Sequence, residues 1–189
     1  MKTIKLLSTI FVALSLLSAC GVSKHPGRQV ASFSFTDQNG DPFGTDQLTG
    51  KVWIANFIFT TCSTVCTPMS HKMADFQKTF NELGIEVEFV SFTVDPEIDT
   101  PQVLKEFVGQ FSEDDSNWHL LTGYSQDAIG KLALNQFQTI VQKPQQSGQV
   151  IHGSNFYIVN QKGYIVYEVS YIEEAFEEQI FTEVKRLVK

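Results

Sequence analysis

The sequence predicts an α/β domain in which a central mixed sheet is flanked by helices and preceded by an N-terminal β-hairpin extension. Three observations predict it. A long and nearly unbroken apolar run, residues 51–59, reads as a strand buried on both faces, and residues 85–95 read as a second strand. Between them Met69, Met73, Phe76 and Phe80 recur at the spacing of one helix face. The 189 residues are one domain's worth of chain, and 42% hydrophobic content with 16 Phe supplies a substantial core.

The first twenty residues stand apart. Lys2 and Lys5 give a positive start, residues 10–17 form an apolar run broken only by Ser15, and "LSAC" (17–20) places small residues before a cysteine. That is the pattern of a secretory signal, shorter than the about 20 apolar residues of a spanning helix. "LSAC" resembles the lipobox of bacterial lipoproteins, which implies that residues 1–19 are a signal peptide and that Cys20 becomes the lipidated N-terminus. Residues 21–30 are polar, contain Pro26 and Gly27, and are expected to form a tether, so that the domain spans 31–189.

Within the domain, "FSFTDQNGDPF" (33–43) alternates apolar with polar and turns at Asn39-Gly40, a hairpin. The run at 51–59 is the first long strand, and the helix carrying Met69 to Phe80 stops at Gly84. The strand at 85–95 is followed by Thr100-Pro101, a helix start, with Val103, Leu104, Phe107 and Val108 as its apolar face. "WHLLTG" (118–123) is a short strand, and residues 125–137 form a third helix opened by Ser125. "QVIHGSNFYIV" and "YIVYEVS" are strands joined by a turn at 160–163. Residues 173–189 close the chain as a helix with acids first and Lys185, Arg186 and Lys189 last, as its dipole favours. This order is that of a thioredoxin-like fold.

Cysteine usage points to chemistry. With Cys20 assigned to the lipid, Cys62 and Cys66 remain, where a disulfide-stapled secreted fold would scatter more. They fall where the first long strand gives way to its helix, and a helix N-terminus stabilises the thiolate that is both nucleophile and metal ligand. With three residues between them they lie about one turn apart, so their sulfurs could close a disulfide or pinch one ion. His152 sits ahead of the apolar run at 155–159. In a thioredoxin-like arrangement the loop there faces the dithiol, and this chain has no Pro between Gln145 and its end to supply the cis-proline that ordinary members carry. His152 offers a nitrogen ligand in its place.

"FTTCSTVCTPMSHKM" (59–73), "VSFTVDPEIDTPQVLKEF" (90–107) and "VIHGSNFYIVNQKGYIVYEVSY" (150–171) together resemble the Sco/SenC family of copper-binding, thioredoxin-fold proteins that help assemble cytochrome c oxidase. The resemblance implies a copper site of Cys62, Cys66 and His152, with the copper-bearing oxidase subunit as partner and a thiol reductant protein as a possible second one. One departure is visible: the family usually has Pro directly after the second Cys, and this chain has Thr67 and then Pro68, which shifts the expected helix start by a residue. Donor chemistry agrees with the resemblance. Two thiolates suit Cu(I), an added imidazole also suits Cu(II), and a structural zinc site normally takes four protein ligands. Asp95 could orient His152 or tune the thiols. Met69 and Met73 fit the helix core, His71 a solvated face, His119 a structural role and His25 the tether.

Composition limits the partners. Loss of residues 1–19 removes Lys2, Lys5 and no acid, taking the net charge from −7 to −9. An acidic chain without a basic stretch excludes nucleic acid and leaves the lipid as the membrane attachment, on the extracytoplasmic face of a bacterial membrane. The rival activity is a thiol-disulfide oxidoreductase acting on cysteines of an oxidase subunit or another partner. A peroxide-reducing thiol enzyme would need an Arg beside its Cys, and the only arginines are Arg28 and Arg186.

Overall fold

The computed structural model describes residues 27–145 and 147–189. The expected signal peptide, Cys20 and most of the tether lie outside the described residues. A six-stranded sheet runs in the order β1-β10-β9-β4-β5-β6. Its strands are β1 (Arg28–Gln29), β4 (Trp53–Ile58), β5 (Glu88–Thr93), β6 (Trp118–Leu121), β9 (Asn155–Val159) and β10 (Tyr164–Ser170). β4, β5 and β6 are parallel, and β9 runs antiparallel to β4 with Trp53 opposite Val159 and Ala55 opposite Tyr157. Two small ribbons lie outside this sheet: β2 (Ser34–Thr36) with β3 (Pro42–Gly44), and β7 (Val141–Gln142) with β8 (Ile151–His152). The helices are α1 (Thr45–Leu48), α2 (Cys66–Glu82), α3 (Pro101–Val108), α4 (Gln126–Leu132) and α5 (Phe176–Leu187).

The apolar runs read as strands because the sheet is covered on both faces. All six residues of β4 are buried. On β9 the neighbours Phe156 and Tyr157 point to opposite faces, as the strand period of two requires. The Phe156 ring meets Phe76 of α2 and Phe176 of α5, while Tyr157 meets Phe57 and Phe137. Phe57 and Phe92, register partners on β4 and β5, stack at 5.5 Å on that second face. The expected helix face Met69, Met73, Phe76 and Phe80 is fully buried, so both methionines are core.

Local signals set the element ends. Thr100 caps α3, its hydroxyl accepting from Val103 N–H at 3.4 Å ahead of Pro101. Ser125 caps α4 through Ala128 N–H at 3.2 Å. α2 starts at Cys66 despite the displaced proline. Pro68 falls in the first turn, where its missing N–H has no helical partner to lose, and Met69 N–H opens the ladder by donating to Val65 at 3.0 Å.

The structure departs from expectation in three places. First, the sheet begins at Arg28, inside the expected tether. Arg28 and Gln29 pair with Ile165 and Tyr164, and the Arg28 guanidinium meets Glu168 at 2.5 Å. Edge pairing through backbone groups needs no apolar side chains, so polar composition concealed it. Second, the helix expected over 125–137 is α-helical only to Leu132 and continues as a π-helical turn, Ala133–Phe137, ending at Gln138 with φ 55°. The wider turn seats Phe137 against Phe57, Phe92 and Tyr157. Third, "QVIHGSNFYIV" is two strands, because the chain breaks at Gly153. A Cβ there would lie 2.3 Å from Thr139 Oγ1, so the backbone passes where no side chain fits.

A buried polar chain ties the three parallel strands. Trp118 Nε1–H donates to Ser91 Oγ at 3.0 Å, and the Ser91 hydroxyl donates to Asn56 Oδ1 at 2.7 Å. Ser91→Ala would leave both outer groups without a partner in the core. The expected result is a loss of about 1–3 kcal/mol, read in urea titration as a lower midpoint at unchanged slope.

Candidate metal centre

β4 leaves the sheet after Ile58, and the next eight residues carry Phe59, Thr60, Thr61 and both cysteines to the first turn of α2. Antiparallel pairing of β9 with β4 brings the start of β9 to the same end of the sheet, so the chain just before it arrives beside Phe59. The Phe59 and His152 rings meet edge to face at 5.5 Å. His152 is the last residue of β8, held in register against Val141.

Cys62, Cys66 and His152 therefore converge. One donor atom from each lies within 4.8 Å of the others, the only such cluster of three among the described residues. Cys66 Sγ and His152 Nε2 are 3.4 Å apart. Both cysteines are free thiols, Cys62 partly exposed and Cys66 1% exposed. Bonds from an ion to sulfur and imidazole nitrogen run to about 2.0–2.3 Å, so donors this close can bind one ion with small side-chain rotations.

The two thiols are electrostatically unequal. Burial pushes Cys62 up, but hydrogen bonds from the Cys66 thiol and from Thr64 outweigh it and hold Cys62 below the ordinary thiol range. Thr64 Oγ1 lies 3.6 Å from its sulfur. Burial, together with the neighbouring Cys62 sulfur, pushes Cys66 far above that range. The helix N-terminus expected to favour both thiolates thus yields to desolvation at Cys66. Burial also lowers the His152 pKa, partly opposed by the Gly153 carbonyl 2.9 Å from Nδ1. A neutral ring whose Nδ1–H donates to that carbonyl leaves the Nε2 lone pair facing Cys66.

Of the residues singled out in the sequence, Asp95 departs from expectation. Its buried carboxylate accepts from Lys143 Nζ at 2.7 Å, and the same ammonium meets Glu97 at 2.9 Å. No hydrogen bond joins it to His152 or either cysteine among the described residues, because the charge of Lys143 claims it. The Gly153 carbonyl takes the orienting part instead. His71 rests edge-on against Phe111, and His119 stacks on Phe43 at 3.6 Å with Nε2 3.3 Å from Glu88.

Sequence reasoning missed two supporting residues. Asp99, fully buried, accepts from Thr60 N–H at 3.2 Å, from the Thr60 hydroxyl at 2.5 Å and from the Thr93 hydroxyl, fixing the turn before Cys62. Burial raises its pKa against those hydrogen bonds. Gln149 reaches from the loop that leads into β8 to the cysteine loop. Asp99 had a signal in its place between strand and capped helix; Gln149 had none.

The inequality of the thiols has a measurable consequence. In the reduced, metal-free protein, iodoacetamide should modify Cys62 first, with a rate that rises at a pH below that of a free thiol, while Cys66 stays protected until the fold opens. Peptide mass spectrometry over a pH series checks this, and equal rates at both cysteines would contradict it.

Comparison with known proteins agrees with this geometry. The SCO1/SenC family model matches residues 22–189. A SCO1/SenC family lipoprotein from Bacillus anthracis str. Ames is 48% identical, with a TM-score of 0.84 over 87% of this chain and 98% of its own. BsSco, a member of the Sco family of cytochrome c oxidase assembly proteins with a disulfide switch, is 40% identical, with a TM-score of 0.78 over 87% of this chain and 96% of its own. Yeast Sco1 with copper bound is 27% identical, with a TM-score of 0.70 over 85% of this chain and 90% of its own. These matches carry the thioredoxin-like fold with them, and the chain belongs to the SCO1/SenC family.

Proposed function

We propose that this chain is a copper-binding protein of cytochrome c oxidase assembly, with Cys62, Cys66 and His152 as its copper ligands and the copper-bearing subunit of the oxidase as its partner. The observation that carries the reading is the convergence of two thiols and one imidazole nitrogen within 4.8 Å. Copper is the cargo. The paired thiolates satisfy the soft Cu(I) ion, and the imidazole extends the site to Cu(II). Cys62 and His152 are both half-buried and open the site to an incoming ion or partner, whereas Cys66 is buried and forms its inner side. Oxidation of the cysteine pair to a disulfide would remove both sulfur ligands, so metal binding follows the redox state of the thiols.

The attachment proposed is a lipid on Cys20, with residues 1–19 removed, on the extracytoplasmic side of a bacterial membrane. The lipoprotein of Bacillus anthracis supports it by relationship. No helix among the described residues is long and apolar enough to cross a membrane.

One observation favours a second reading. An accessible thiol of lowered pKa beside a buried thiol of raised pKa is the arrangement of an attacking and a resolving cysteine. On that reading the protein is a thiol-disulfide oxidoreductase acting on cysteines of the oxidase subunit or another partner, itself reduced by a thiol reductant protein.

Anaerobic copper titration of the reduced protein separates the two. The copper reading predicts one equivalent of Cu(II) with intense sulfur-to-copper absorption and a spin-resonance signal, lost in Cys66→Ala and weakened in His152→Ala. Copper uptake no better than that of Cys66→Ala, with a disulfide as the product, would leave the reductase reading in place.

A further inference from the structure

His152 and the two cysteines belong to segments 86 residues apart in the chain, and one side chain bridges them. Gln149, three residues before His152, extends its amide over the cysteine loop. Its Nε2 donates to the Thr61 carbonyl at 3.1 Å, and its Oε1 accepts from both Ser63 N–H and the Ser63 hydroxyl, each at 3.3 Å. Thr61 and Ser63 are the residues on either side of Cys62. Among the described residues, the only other hydrogen-bond contact between the stretch 59–66 and residues 149–152 is that of Cys66 Sγ with His152 Nε2.

A primary amide suits this position because both of its halves are used. The donor half answers a carbonyl, the acceptor half answers an N–H and a hydroxyl, and no net charge is brought beside the Cys62 sulfur. A carboxylate would answer Ser63 but face the Thr61 carbonyl with a second acceptor. An apolar side chain of the same size would answer neither.

We propose that Gln149 is a positioning residue of the copper site: its amide holds the His152 ribbon against the Cys62 loop and so keeps the imidazole within reach of an ion held by both sulfurs. The proposal rests on the copper reading above and adds a specificity to it. Two thiolates suffice for Cu(I), while Cu(II) draws on the nitrogen. Loss of the Gln149 amide therefore falls on Cu(II) and spares Cu(I).

The test compares the parent chain, Gln149→Leu, Gln149→Glu and His152→Ala, each reduced and handled without oxygen. Each is titrated with Cu(II) alone and with Cu(I) alone against a competing chelator. Gln149→Leu is expected to lose about 10–100-fold in Cu(II) affinity, the usual cost of removing a group that orients a ligand, with Cu(I) affinity unchanged. Gln149→Glu, which keeps the acceptor toward Ser63, is expected to fall between parent and Gln149→Leu. In the copper-free protein, amide hydrogen exchange at Ser63 should quicken in Gln149→Leu, a readout that needs no metal. Unchanged Cu(II) affinity in Gln149→Leu overturns the proposal, as does an equal fall for both ions, which would make the side chain a support of the loop as a whole. A parent that takes up neither ion overturns the copper reading itself, an outcome distinct from a parent and a variant that bind alike.

Discussion

The antiparallel pairing of β9 with β4 is the constraint on which the site depends. β4 runs toward the end of the sheet where the cysteine loop begins, and β9 must start at that end if Trp53 is to face Val159 and Ala55 to face Tyr157. His152 is thereby delivered beside Phe59 without any contact of its own having to find it. The aromatic layers on the two faces, with Phe156 against α2 and α5 and Tyr157 against Phe137, fix that register. A one-residue slip would exchange the faces of both rings. The metal centre is a by-product of core packing in this sense: its long-range geometry is set by residues that never touch an ion.

Local chemistry then divides the roles of the two sulfurs. Cys66 is carried on the first turn of α2 but lies under the His152 ribbon, and there the loss of water outweighs the favourable helix end. Cys62 stays at the surface with Thr64 and the Cys66 thiol as hydrogen-bond partners, and its anion is the easier one to form. Asp99 below the loop and Gln149 above it restrict where the Cys62 backbone can go. The exposed sulfur can therefore meet a partner while the buried sulfur and the imidazole remain fixed.

Much of this was legible in the sequence, and the reason is burial. Strands covered on both faces are mostly apolar, so β4 announced itself and β5 followed from its apolar content, and the helix face at Met69 to Phe80 followed from its spacing. The cysteine pair was legible from its place between strand and helix. What escaped detection was structure held by backbone or by tertiary contact: edge strand β1, whose polar residues pair through N–H and C=O groups, and the two-residue ribbon that carries His152. Asp95, at the end of the strand beside the cysteine strand, is placed by the sequence to orient His152 or tune the thiols, but Lys143, whose position no local pattern reveals, pairs with its carboxylate. Gln149 is an exposed polar residue in a loop, and only the folded chain gives its amide two partners.

The most direct test of the account is X-ray absorption of the copper-loaded protein. Convergence of all three side chains on one ion predicts two sulfur neighbours together with the outer-shell scattering of an imidazole ring, and that ring scattering alone should vanish in His152→Ala. A spectrum with sulfur neighbours but no imidazole in the parent, or one unchanged by His152→Ala, would contradict the claim that the fold builds this site from both loops.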